Sequence, residues 1–254
     1  MKKLMAAAAI SLMSLASAGS HALPLAFFDN GTYTDPTRES ALLATSLGNL
    51  GHTTSSFSGI AAADWTAATA GKSALIIPEL DNNPLHPDLD AGARTSISSY
   101  VSGGGALLMF DRSGGESQGV FNDVFGYSIA GGTTSGPLAL NAGAGAQFLG
   151  GPASLPYADA TETFDLASLP AGAVSVYDDG TSTAAFFVPF GAGYVAWLAF
   201  DWFESPTPAE WEEVLGRMLD RVAGPSDTPV PVPATALLFG SGLLALAGLR
   251  RRSR

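Results

Sequence analysis

The sequence predicts an α/β fold: a mainly parallel sheet flanked by helices, with β-hairpins added in the second half and a single apolar helix at the C-terminus. Three observations carry this. Continuous apolar runs at Leu23–Asp29, Ser73–Leu80 and Ala106–Asp111 alternate with segments of helical character, and strands that are apolar on both faces belong to parallel sheets covered on both sides. After about residue 126 the pattern changes to short apolar or alternating segments joined by glycine-rich links. The stretch from Leu23 to Gly224 is long enough for one domain with a substantial core.

Taken in order, Leu23–Asp29 is the first strand, Pro36–Leu50 a helix ending near Gly48 and Gly51, and His52–Phe57 a short alternating strand. Asp64–Ala70 reads as a short helix and Ser73–Leu80 as a buried strand. Pro87–Val101 is a helix closed by Gly103-Gly104-Gly105, followed by a strand at Ala106–Asp111 and a helix at Glu116–Phe125. Strand-like segments then fall at Tyr127–Ala130, Ala146–Leu149, Glu162–Leu166, Val174–Tyr177, Ala184–Phe190 and Tyr194–Phe200. Asp179-Gly180 and Gly191-Ala192-Gly193 read as hairpin turns. Thr207–Val222 closes the domain as an amphipathic helix, with Trp211, Val214, Leu215, Met218 and Leu219 on one stripe.

Ser73–Leu80, Ile97–Phe110 and Gly193–Phe203, in this order, resemble the class I glutamine amidotransferase-like superfamily, whose fold is flavodoxin-like. The resemblance spans Leu23 to Val222. It implies a nucleophile on the turn after the strand Ala106–Asp111, and here that turn reads Asp111-Arg112-Ser113-Gly114-Gly115. The chain has no cysteine, which removes amidotransferase chemistry, disulfides and thiolate metal sites. Ser113 as a substitute nucleophile needs a histidine base, and beyond the leader the chain offers His52 and His86, both ahead of Ser113. Glu79 and Asp111, at strand ends, are candidates to face a pocket at the carboxyl edge of the sheet; each also suits the capping of a following helix or turn.

The remaining polar stretches have turn explanations. Asp81–Asp90 is rich in oxygen ligands but lacks the spacing of a calcium loop, and turn chemistry accounts for Asn and Asp beside proline. Asn30-Gly31-Thr32-Tyr33-Thr34 follows the first strand and resembles a flavodoxin phosphate loop, although hydroxyls beside a glycine are ordinary there. Trp197, Trp202 and Trp211 are expected to pack in the core or at its rim, with an exposed, sugar-stacking Trp202 as the alternative. Neither a metal nor a cofactor is expected.

The two ends read as targeting segments. Lys2 and Lys3, the apolar stretch Leu4–Ala16 and Ser20-His21-Ala22 have the layout of a cleavable signal peptide over residues 1–22; cleavage after Ala18 is the competing site. At the other end a proline-rich linker (225–233) leads into eighteen uncharged residues, Val232–Leu249, and four arginines. That run is near the lower limit for crossing a hydrocarbon core of about 30 Å, and the arginines place the rest of the chain outside the cytoplasm. Val230, Pro231, Val232, Pro233 and Ala234, the apolar stretch, and Arg250, Arg251 and Arg252 resemble a PEP-CTERM sorting signal of the Val-Pro-x-Pro-Ala type, covering residues 230–254. The resemblance implies processing by an exosortase, export across the inner membrane of a Gram-negative bacterium, transient anchoring through a helix at 232–249, and release to the cell surface or exopolysaccharide matrix.

Charge narrows the function classes. The chain carries a net charge of −11; between residues 4 and 249 only 6 basic residues face 23 acidic ones, a net of −17. Nucleic acid, whose recognition needs clustered positive charge, is excluded as a partner. The expectation is a non-catalytic α/β binding or structural domain, exported and surface-sorted; the alternative is a secreted serine-type hydrolase using Ser113.

Overall fold

The computed structural model describes residues 22–110, 116–134, 136–156, 161–203 and 206–224. The elements run β1 (Pro24–Phe28), α1 (Glu39–Asn49), β2 (Thr53–Phe57), α2 (Ala62–Thr69), β3 (Ala74–Ile77), α3 (Ala91–Ser102), β4 (Ala106–Phe110) and α4 (Glu116–Phe125). The second half supplies β5 (Leu138–Leu140), β6 (Ser154–Leu155), β7 (Phe164–Asp165), β8 (Val174–Asp178), β9 (Ser182–Phe190), β10 (Gly193–Leu198) and α5 (Ala209–Val222).

These strands form one sheet in the order β2-β1-β3-β4-β10-β9-β8-β5-β6, with β7 on β9. From β2 to β10 every neighbouring pair is parallel; from β10 outward every pair is antiparallel. The α/β expectation with added hairpins therefore holds. β3 (Ala-Leu-Ile-Ile) and β4 (Ala-Leu-Leu-Met-Phe) are buried at every position, because helices cover both faces. Each Leu or Ile so buried contributes roughly 1.5–3 kcal/mol. On one face α1 meets α5, where Asn49 Nδ2 donates to Glu212 Oε1. α2 and α3 pack together on the other, where Thr66 Oγ1 bonds Ser96 Oγ.

Local chemistry sets the ends of the elements. The Asp90 carboxylate accepts from the Ala93 amide at 2.7 Å and starts α3, the N-cap arrangement. Gly104, at φ 113°, lets the chain leave α3 and enter β4. α5 buries Trp211, Val214, Leu215, Met218 and Leu219, the predicted stripe. An aromatic cluster fills the far side of the sheet, with Phe164 and Trp197 rings 4.4 Å apart and Phe121 and Phe186 around them. The edge strand β2 is Thr-Thr-Ser-Ser-Phe, exposed along its first four residues, and Lys72 Nζ donates to Ser55 Oγ at 2.7 Å.

Three sequence-based expectations need correction. Among the described residues no helix is long and apolar enough to cross a membrane; α5, the longest of them at 14 residues, is amphipathic and would span only about 21 Å. Among these residues this corrects the expected transmembrane helix, the membrane as a partner through it, and the transient anchoring before release to the cell surface that depended on it. The expected segments themselves, with Val230, Pro231, Val232, Pro233, Ala234, Arg250, Arg251 and Arg252, lie in 1–21 and 225–254, outside the described residues. Second, Trp202 is 1% exposed, packed edge-on against Phe110 and Phe200, so it offers no face for sugar stacking. Third, two expected strands are absent: Tyr127–Ala130 joins no ladder, because Asn122 occupies both backbone groups of Ile129, and Ala146–Phe148 forms a short 3-10 helix.

The β9–β10 turn depends on a close approach. A Cβ on Gly193 would run into the carbonyl oxygens of Gly105 and Val101, backbone atoms that cannot swing aside. Gly193→Ala is expected to cost about 2 kcal/mol and to lower Tm by roughly 4–8 °C, measured by thermal unfolding of the full chain.

Candidate functional site

In the parallel half the chain leaves β1 toward one edge of the sheet and β3 toward the other, so the loops after these adjacent strands diverge. Open α/β sheets bind ligands at such a reversal, outside the carboxyl ends of the strands. The loop after β1 carries Asp29, Asn30 and Asp35 into Glu39, the first residue of α1; the loop after β3 carries Glu79, Asp81, Asn82 and Asn83.

Side-chain amides stitch the two loops together. Asn82 Nδ2 donates to the carbonyls of Gly31 at 3.2 Å and Thr34 at 2.7 Å, and its backbone N–H donates to that of Tyr33. Asn83 Nδ2 reaches the Thr32 carbonyl at 2.7 Å, and Tyr33 Oη donates to Asp88 Oδ2 at 2.8 Å. The Tyr33 hydroxyl is pushed up to about 12 by burial and by its bond to the Asp88 carboxylate. The loop thought similar to a phosphate loop thus spends the carbonyls of Gly31, Thr32, Tyr33 and Thr34 on its neighbour.

This stitching brings Asp35, Glu39 and Asp81 together, with one oxygen of each within 4.8 Å of the others. Asp35 Oδ1 accepts from the amide and the hydroxyl of Thr37, at 2.9 and 2.7 Å, which holds its pKa below the ordinary value. Glu39 is the reverse case. It is 5% exposed, and burial raises its pKa, with the charges of Asp35 and Asp81 adding to the rise against its own backbone amide and Arg38. Arg38 Nε stands 3.6 Å from Glu39 Oε1, and its guanidinium lies 3.3 Å above the ring of Phe203, which is 43% exposed.

The rim at Phe203 comes from the loop after β10, which is held in an unusual way. Trp202 has φ 56° and is the non-glycine residue in the left-handed region among those described, a conformation costing roughly 1–2 kcal/mol. Its buried ring and the 3.0 Å bond from Nε1 to Ser46 Oγ of α1 fix it there. Asp29, at the end of β1, has Oδ1 buried without a hydrogen-bond partner, and burial raises its pKa.

Of the residues singled out from sequence, Glu79 sits at the carboxyl end of β3 as expected and is buried. Asp111 and Ser113 fall in 111–115, outside the described residues. His52 lies at the opposite edge, its Nδ1 accepting from the Leu23 amide. His86 Nδ1 is 3.1 Å from Asp123 Oδ2, which also receives Arg94 at 3.2 Å. Asp35 and Glu39 were missed, and Asp81 was set aside with its stretch as turn chemistry. The signal available was two acids four apart just after the first strand and a third just after the strand beside it.

No family model matches the chain, and no curated protein matches it. Solved structures are similar in fold. A cytoplasmic protein from Salmonella typhimurium LT2 superposes with TM-score 0.54 at 12% identity, over 79% of this chain and 99% of that one. A protein described as a GMP synthase component, from Thermoplasma acidophilum, has TM-score 0.50 at 13% identity, over 78% and 93%. A ThuA-like protein from Bacteroides uniformis has TM-score 0.51 at 11% identity, over 77% and 89%. The fold resembles, at low identity, a glutamine amidotransferase-like fold, here without a cysteine, and identities this low establish the fold alone.

Glu39 gives a pH prediction. A carboxyl whose folded pKa lies above its unfolded value stabilises the protein below the unfolded value, about 4.3, and that contribution is lost as pH rises through the folded value. In EDTA, Glu39→Gln should match the wild type near pH 4 and exceed it by on the order of 1 kcal/mol at pH 7. Paired thermal melts across this range check it; a constant difference would contradict the assignment.

Proposed function

We propose that this chain is a non-catalytic binding domain whose ligand seats in the crevice between the loops after β1 and β3, against the rim formed by Arg38 and Phe203. The observation that carries this reading is the convergence of Asp35, Glu39 and Asp81 at the reversal of strand order, on loops already locked to each other by Asn82 and Asn83. Preformed loops lower the ordering cost of binding. The missing cysteine removes thiolate chemistry, and that chemistry alone, from the readings open to this chain.

A second reading, hydrolysis through Ser113, draws on the His86–Asp123 pair. His86 packs directly on Gly119 of α4, the helix that follows the Ser113 segment in the chain, and a carboxylate-held imidazole is the base a serine nucleophile requires.

One set of measurements separates the two. The full chain is screened by thermal shift against amines, sugars and nucleotides, with and without divalent cations, beside the exposed-rim variant Phe203→Ala; p-nitrophenyl ester hydrolysis is followed for the wild type, Ser113→Ala and His86→Ala. The binding reading expects ligands whose shift falls at least tenfold in apparent affinity in Phe203→Ala, and no turnover that depends on Ser113. Turnover abolished by both Ser113→Ala and His86→Ala, or a screen without Phe203-dependent ligands, overturns it.

A further inference from the structure

Acidic residues gathered at a surface are ordinary, because water screens each charge. The group at the β1/β3 crevice differs at Glu39. Its side chain is 6% exposed, and Oε2 is buried without a hydrogen-bond partner, while a carboxylate oxygen each from Asp35 and Asp81 stands within 4.8 Å of the cluster's other ligand atoms. Arg38 does not answer that oxygen. Its Nε is directed at Oε1 from 3.6 Å, and its side chain is 49% exposed, with the guanidinium spread on Phe203. A buried carboxylate oxygen beside two further carboxylates must be met by a proton or by a cation.

We propose that Asp35, Glu39 and Asp81 form a Ca²⁺ site. Calcium takes carboxylate oxygens at about 2.3–2.6 Å, so two of its ligands stand up to roughly 5 Å apart, and oxygens within 4.8 Å of one another lie in the range that such a shell spans. Magnesium demands near-octahedral geometry and gives up its water reluctantly, which favours the larger ion on three carboxylates. Asp81 is exposed, leaving the outer positions of the coordination shell to water. Asp35 Oδ1 is fixed by the amide and hydroxyl of Thr37, and the Asn82 and Asn83 bonds keep the two contributing loops at fixed separation, so the ligand set is assembled before the ion arrives. The stretch Asp81–Asp90 lacks a calcium-loop spacing because only its first residue takes part; the other two ligands come from the segment after β1. The proposal rests on the reading of this crevice as a binding site and names one occupant of it.

The test is Ca²⁺ titrated calorimetrically into the EDTA-treated, desalted full chain at pH 7.5, with Mg²⁺ as a second titrant and melting curves in parallel. One Ca²⁺ per chain is expected, with Mg²⁺ at least tenfold weaker and Tm raised by about 5–10 °C when free Ca²⁺ exceeds Kd a hundredfold. Asp81→Asn, at an exposed position, should melt no lower than the wild type without the cation and lose at least tenfold in Ca²⁺ affinity. Glu39→Gln should lose the Ca²⁺ response while being the more stable protein in EDTA. Absence of heat and of a Tm shift with Ca²⁺, or unchanged Ca²⁺ affinity in Asp81→Asn, overturns the proposal. That failure is separable from failure of the wider reading: Phe203-dependent ligands found in EDTA would stand without the ion, and Ca²⁺ binding with no such ligand would leave the cation site alone.

Discussion

Burial of the parallel strands on both faces is the constraint from which the rest follows. β3 and β4 are buried at every position, and β1 at every position after Pro24, so these strands have no free face on which a polar group can be displayed. Charged chemistry is pushed to the strand ends, where the chain turns back through loops to the covering helices. Because the strand order reverses between β1 and β3, the two loops set off toward opposite edges there, the place where open α/β sheets seat ligands. Asp29, Asp35, Glu79 and Asp81 all stand just past the ends of these two strands.

The crevice is maintained by amides rather than by charge. Asn82 and Asn83 supply the donors that the carbonyls of residues 31, 32 and 34 would otherwise seek from water, and in doing so they hold three carboxylates closer than their repulsion favours. The cost falls on Glu39, the buried member. Arg38 relieves part of it, and through its stack on Phe203 it also links α1 to the loop after β10, as Trp202 does through Ser46. Three segments far apart in sequence therefore meet at one place.

The sequence made the parallel half readable because each element there carries a long apolar signal. Glu116–Phe125 matches α4 at both ends, and the stripe of α5 was visible at its 3.6-residue period. Boundaries moved where side chains capture the backbone: Asp35 organises a turn that delays α1 from Pro36 to Glu39, and Asp90 caps α3 so that the expected helix from Pro87 becomes a 3-10 turn at His86–Asp88 and an α-helix from Ala91. The strands β5 and β6, three and two residues long, are too short to show a period. The acidic cluster was hidden for a different reason. Its members lie 46 positions apart between the first and last, and nothing in the local pattern of either loop reports that Asn82 will fold one onto the other.

The outer strand β2 has a meaning for how copies of this chain meet one another. Among the described residues it pairs with β1 alone, so its other side presents backbone donors and acceptors of the kind that recruit a foreign strand. Thr53, Thr54, Ser55 and Ser56 line it with hydroxyls instead of the alternating apolar residues a zipper needs, and the Lys72 ammonium sits on Ser55. An incoming strand would have to strip water from those hydroxyls and bury a cation in return for its ladder. The same residues that make β2 the least apolar strand of the parallel set thereby keep a sheet with an open side from growing into a fibre.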